Sequence, residues 1–205
     1  MNNPRDICIW KDTAECEDCP AKYKLICHFQ RKYLLSFLGF FIVFVVTMFF
    51  GVILSGYGWF LLGWVGFWLF FFEFWEIRIL CSHCPFYAEE GKTIHCIANY
   101  GSLKLWKYHP EPITLSEKVQ LIIGFIILMG YPLVFLILGE QIILLIIGLL
   151  EIIAFFTFLE IKRCGVCLNF SCPLNHVKKE VVDEFLKKNP VMRKAWEEAG
   201  YEITN

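Results

Sequence analysis

Ten cysteines fall in three groups along this chain: Cys8, Cys16, Cys19 and Cys27; Cys81, Cys84 and Cys96; Cys164, Cys167 and Cys172. Three C-x-x-C pairs sit among them (Cys16/Cys19, Cys81/Cys84, Cys164/Cys167). A tight turn brings residues i and i+3 together, so each pair can offer two sulfurs to one metal. Tetrahedral zinc takes four thiolate or imidazole donors. The first group supplies four cysteines. The other two supply three each, with His83 and His95 near the second and His176 near the third. One all-cysteine site and two sites of three cysteines and a histidine would use every cysteine. Sharing of ligands between groups is the alternative.

The expectation leads with zinc, held by cysteine clusters on a membrane-anchored binding or sensing platform. Iron–sulfur clusters compete for the same residues. They prefer all-cysteine ligation, and a proline after a ligating cysteine occurs in bacterial ferredoxin runs. Here that Cys-Pro step appears at Pro20, Pro85 and Pro173, without the dense ferredoxin spacing. A cluster or a thiol relay would make the chain an electron-transfer protein coupled to a quinone or a protein partner. A soft-metal transporter is a further alternative, although neither hydrophobic stretch carries a Cys, His or Met pair to pass an ion across.

The elements that position the cysteines are read from hydropathy. The chain of 205 residues is 57% hydrophobic, above the roughly 45–50% of ordinary soluble domains. Tyr33 to Phe72 holds no charge and no histidine over 40 residues. One helix of that length would run about 60 Å, twice the roughly 30 Å hydrocarbon core. A turn at Ser55-Gly56-Tyr57-Gly58 therefore divides it, giving helices over Tyr33–Leu54 and Trp59–Leu80. Val119 to Gly139 is likewise uncharged, with a break at Gly139-Glu140 and a fourth helix over Gln141–Ile161. Pro132 is expected to kink the third helix.

The predicted fold is thus an all-α membrane protein with four transmembrane helices in two hairpins and a Cys-rich metal-binding cap. Its parts are an N-terminal Cys module (1–32), hairpin 1 (33–80), a central Cys-rich loop (81–117), hairpin 2 (118–161) and a C-terminal Cys module with amphipathic helices (162–205). The lipid bilayer is the expected partner, with a possible protein partner at the cap. A net charge of −1 gives no basic signal for nucleic acid.

Sidedness follows from charge. The segments 1–32, 77–118 and 161–205 carry all 19 Lys and Arg, and the two hairpin turns carry none. The positive-inside rule makes the basic side cytoplasmic, with both termini there. No signal peptide is expected, since the first apolar run follows 32 polar, Cys-rich residues. Cytosolic thiols stay reduced, which favours ligands over disulfides.

The exits of the second and fourth helices read alike. Phe72-Glu73-Phe74-Trp75-Glu76-Ile77-Arg78 leads to Cys81-x-x-Cys84, and Phe156-Thr157-Phe158-Leu159-Glu160-Ile161-Lys162 leads to Cys164-x-x-Cys167. This register suggests an internal repeat.

Glu151 is the one charge deep in the bilayer. Such a group costs about 2.5–3.5 kcal/mol on insertion scales and is often functional. It is expected protonated or paired, with Thr47 and Tyr131 at suitable depth. Glu73, Glu76 and Glu160 are expected at the interface, in salt bridges to Arg78 or Lys162. Tyr100–Ile113 reads as a strip on the membrane surface. Two short helices, about Lys178–Lys188 and Pro190 to Gly200, end the chain.

Overall fold

In a bilayer a backbone must satisfy its own hydrogen bonds, and an uncharged run does so as helix. The computed structural model describes residues 7–10, 19–22, 24–96 and 98–204. It contains four helices long and apolar enough to cross a membrane. We label them α1 (Arg31–Leu54), α2 (Gly58–His83), α3 (Leu115–Leu138) and α4 (Ile142–Val166, α-helical over Ile142–Lys162). Their outward faces stay apolar, with Leu62 69% and Ile143 75% exposed. That is the surface lipid covers, so the chain is an integral membrane protein. Two short helices follow, α5 (Lys179–Lys187) and α6 (Pro190–Glu198). The described residues contain no strand, only an isolated antiparallel bridge between Thr93 and Leu103.

The turns fall where the sequence placed them, with one exchange of roles. Gly56 takes φ +80 in the first turn, as a glycine should. In the second, the left-handed backbone belongs to Glu140 (φ 56), not to Gly139. Gly139 is needed for space: a Cβ there would strike the backbone and side chain of Ser55. The α1–α2 and α3–α4 turns therefore meet, at the end of the helices away from the later cysteines.

Small residues let the helices approach, as is usual in membranes. Met48 of α1 lies over Gly148 of α4, and Phe71 of α2 lies over Gly124 of α3. α1 packs most extensively on α4, and also on α3. Towards α2 it reaches through rings, Phe41 against Trp68 and Phe72, and Phe44 against Trp64.

α3 begins with a capping box between Thr114 and Glu117. It runs unbroken through Pro132. That proline has no N–H for the carbonyl of Leu128, and the Trp64 indole N–H supplies the missing donor at 2.8 Å.

α2 is not uniform. Leu61–Phe70 is α-helical, Phe71–Trp75 is a π turn and Glu76–Ile79 is α-helical again. The wide turn adds one residue to the helix and rotates everything after it.

At the Cys-bearing end a hydrophobic cluster joins N-terminal, central and C-terminal segments. It includes Ile7, Leu25, Phe86, Leu168, Phe185 and Trp196. The apolar face of α5 (Val181, Val182, Phe185, Leu186) is buried in it. Hydrogen bonds tie the segments further: Trp10 Nε1 donates to Pro85 O at 2.7 Å, and the Ile26 N–H to Val166 O at 2.8 Å.

Candidate metal centre between two cysteine loops

The two later C-x-x-C pairs share one local fold. Each helix exit distorts at the residue before the first cysteine, Leu80 (φ −122, ψ −56) and Arg163 (φ −127, ψ −51). A 3-10 turn follows, Cys81–His83 or Cys164–Val166. The second cysteine is then extended, Cys84 at φ −86, ψ 138 and Cys167 at φ −82, ψ 137.

An extended cysteine turns the N–H of residue i+2 towards its own sulfur. Phe86 N–H bonds the Cys84 sulfur, Asn169 N–H that of Cys167, and Leu174 N–H that of Cys172. Ala98 N–H points at Cys96 Sγ from 3.5 Å. Pro85 and Pro173 explain the Cys-Pro steps. A proline at i+1 fixes φ and has no N–H, so the donor that reaches the sulfur is at i+2. Backbone donors aimed at sulfur favour thiolate, the ligand form.

These loops face one another. Cys81, Cys84, Cys96, Cys164, Cys167 and Cys172 all line a single cavity of about 150 Å³. The second and third sequence groups are thus one constellation. Asn169 Nδ2 donates to Leu80 O at 3.1 Å and pins the third group to the exit of α2.

Burial pushes the Cys84, Cys167 and Cys172 thiols up from their ordinary value. Neighbouring thiols add to the rise at Cys84 and Cys167, the Glu76 carboxylate adds to it at Cys172, and the backbone donors oppose it at all three. A disulfide relay needs the reverse, an exposed thiol with depressed pKa. Among the described residues, no three Cys, His, Asp or Glu side chains converge on one point as ligands of a single ion would. The six thiols surround a volume instead.

The sequence-predicted histidines have other neighbours. None of the three lines the cavity. His83 Nδ1 lies 2.7 Å from Glu111 O, with Nε2 3.8 Å from Glu117. His95 Nδ1 lies 2.6 Å from Glu89 Oε2. His176 sits over Gly165, where no Cβ obstructs it. Cys8, Cys19 and Cys27 pack on the adjoining hydrophobic cluster, outside the cavity lining. Cys8 faces Asn189, whose Oδ1 accepts the Cys8 N–H and whose Nδ2 lies 3.5 Å from the sulfur. Cys16 lies outside the described residues.

One carboxylate differs from expectation. Glu76 makes no ion pair with Arg78; it is buried and lines the cavity. Asn99 Nδ2 donates to Glu76 Oε2 at 2.7 Å and to Cys81 Sγ at 3.0 Å. Arg78 lies over the Trp106 ring instead. Spacing to the cysteines accounts for this: Glu76 lies five residues before Cys81, and Glu160 four before Cys164. The cavity-lining positions Phe72, Glu76, Leu80, Cys81 and Cys84 match Phe155, Leu159, Arg163, Cys164 and Cys167 at a constant offset of 83. Glu76 is therefore equivalent in space to Leu159, whereas the sequence register had set it against Glu160.

At mid-membrane, Thr47 Oγ1 donates to Glu151 Oε1 at 2.8 Å, as its depth suggested. Tyr131 does not join them; its hydroxyl donates to Phe60 O at 3.0 Å. Among the described residues, Glu151 Oε2 is buried without a hydrogen-bond partner.

The buried amides Asn99 and Asn169 carry no signature in the sequence. Each lies in an irregular loop and acquires its role only when two loops meet. Comparison with protein-family models, with curated proteins and with solved structures finds no match for this chain.

Proposed function

We propose that this protein is a membrane-anchored iron–sulfur protein, with one cluster shared between its two facing cysteine loops. The observation that carries the reading is the set of six thiols, drawn from two loops, around one cavity. Zinc bonds sulfur at about 2.3 Å, so four thiolates on one zinc ion crowd a single point. These thiols do not. A four-iron cluster needs four thiolates and holds them further apart, because inorganic atoms fill the space between. The i+2 N–H donors fit the same reading, since hydrogen bonds to sulfur tune a cluster's potential.

Such a cluster moves single electrons at the membrane surface. The matched backbone of the two loops and the offset of 83 support an internal repeat as their origin. The concentration of Lys and Arg on the Cys-bearing side supports a cytoplasmic cluster and cytoplasmic termini.

Anaerobic purification tests the proposal. Brown protein is expected, with iron and acid-labile sulfide in equal amount and visible absorbance that bleaches on reduction. Colourless protein with stoichiometric zinc and no sulfide overturns the cluster and restores the zinc platform.

A further inference from the structure

The cavity between the thiols does not end at the cysteine loops. A second hollow of about 310 Å³ lies between α1 and α2. It shares Phe37, Phe41, Phe72, Ala98 and Asn99 with the thiol cavity. We infer that this α1–α2 groove binds the ring of a membrane quinone. The inference deepens the cluster reading and rests on it for its purpose, but the binding itself needs no iron.

The walls suit a flat ring. Phe37, Phe41, Trp68 and Phe72 line the groove, and ring against ring is favourable in offset or edge-on geometry. α1 approaches α2 through these side chains, with Phe41 and Trp68 centroids 5.8 Å apart, and the groove lies between the two helices. Leu38 and Leu69 also line it. Leu69 is 54% exposed on the lipid side, which gives an isoprenoid tail its way out.

The polar end suits carbonyl oxygens. Tyr100 brings a phenol to the groove, beside Ser102 and Asn99, whose hydroxyl and amide hydrogens already go to Glu73 and to Glu76 and Cys81. Ser102 Oγ lies 3.2 Å from Glu73 Oε1. An acyl chain has nothing to offer such groups, whereas a quinone ring carries two acceptors. Binding pockets of this kind are mostly apolar with a few placed donors. The shared walls put the ring next to the thiols, on the lipid side of them.

The test uses the full chain in phosphatidylcholine nanodiscs free of quinone, titrated with a short-tail ubiquinone. Saturable quenching of tryptophan fluorescence is expected, and most of it should vanish in Trp68→Phe. Leu38→Trp should fill the groove and weaken binding at least tenfold with iron content unchanged. Tyr100→Phe should weaken it by roughly tenfold, about one hydrogen bond's worth. Quenching that rises linearly and equally in wild type and Leu38→Trp means partition into lipid only, and overturns the site. Equal competition by a saturated fatty acid means an acyl-chain groove, and overturns it too. Saturable binding to protein that contains no iron or sulfide sustains the quinone site while removing the cluster, so the two ideas fail separately.

Discussion

The indole N–H of Trp64 on α2 donates to the backbone carbonyl of Leu128 on α3 at 2.8 Å, the carbonyl that Pro132 deprives of its helical donor. A buried carbonyl without a partner is costly in a bilayer, where no water can take its place. The proline is thus tolerated in mid-helix because a neighbouring helix repairs it.

Trp64→Phe keeps the ring and removes the donor. It should destabilise the bundle by about 1–3 kcal/mol. Pro132→Ala restores the backbone N–H, so Trp64→Phe should cost clearly less in that background. Unfolding of the four variants in mixed detergent measures the coupling. Equal cost in both backgrounds would show that the bond does not compensate the proline.

A shared site and separate sites make different demands on the cysteines. Changing Cys81, Cys84 and Cys96 together to serine should remove all the iron, and so should changing Cys164, Cys167 and Cys172. Either triple change leaves three thiols at the cavity, one short of the four a cubane requires. Changing Cys8, Cys19 and Cys27 should leave iron and sulfide in place. If each cysteine group held its own metal, every triple variant would lose only its own share.

Asp183 on α5 anchors the C-terminal tail. Its buried carboxylate accepts from Tyr201 (2.8 Å), Lys179 (2.9 Å), the Thr204 N–H (3.1 Å) and the Thr204 hydroxyl. Burial raises its pKa, but the bonds from Thr204, Lys179 and Tyr201 more than reverse this and hold it well below the usual carboxylate range. The folded chain therefore binds fewer protons here than the unfolded one, whose aspartate titrates near about 3.9. Stabilisation is complete above that value and is lost as pH falls through the folded-state pKa. Asp183→Asn should cost about 1.5–3 kcal/mol at neutral pH and flatten the acid limb. Hydrogen exchange at the Thr204 amide reads both effects.

Thr47 and Glu151 tie α1 to α4 within the membrane. Hydrogen bonds between membrane helices average about 0.6 kcal/mol and reach about 1.7. Thr47→Val should fall in that range. Glu151→Gln should cost little, because an amide oxygen still accepts from Thr47 and Oε2 has no partner to lose. A loss of electron transfer in a stable Glu151→Gln protein would mark Glu151 as a proton site; full activity would confine it to helix packing.

Four helices, both breaks and the C-terminal pair were legible in the order of residues. Each rests on a local property: an uncharged run too long for one span, glycines at the turns, Asn189-Pro190 between α5 and α6. The structure shifts the ends of the helices by a few residues. The pairing of Thr47 with Glu151 was legible from depth, because rise per residue along a helix is fixed. Tyr131 was at a suitable depth as well, yet its hydroxyl goes to Phe60 O. Depth does not say which way around the helix a side chain points.

The sequence by itself determined four helices long and apolar enough to cross a membrane and cysteines that flank them, because hydropathy, charge and turn chemistry act over a few neighbouring residues. The tertiary structure decided which thiols meet. It brought Cys81, Cys84 and Cys96 to the same cavity as Cys164, Cys167 and Cys172, kept Cys8, Cys19 and Cys27 out of its lining, and gave His83, His95 and His176 other neighbours. It also put Glu76, expected in an interfacial ion pair, into the lining of that cavity. Ligand sets depend on which loops face one another and on the phase of the helices that carry them, and both are set by packing between segments far apart in the chain.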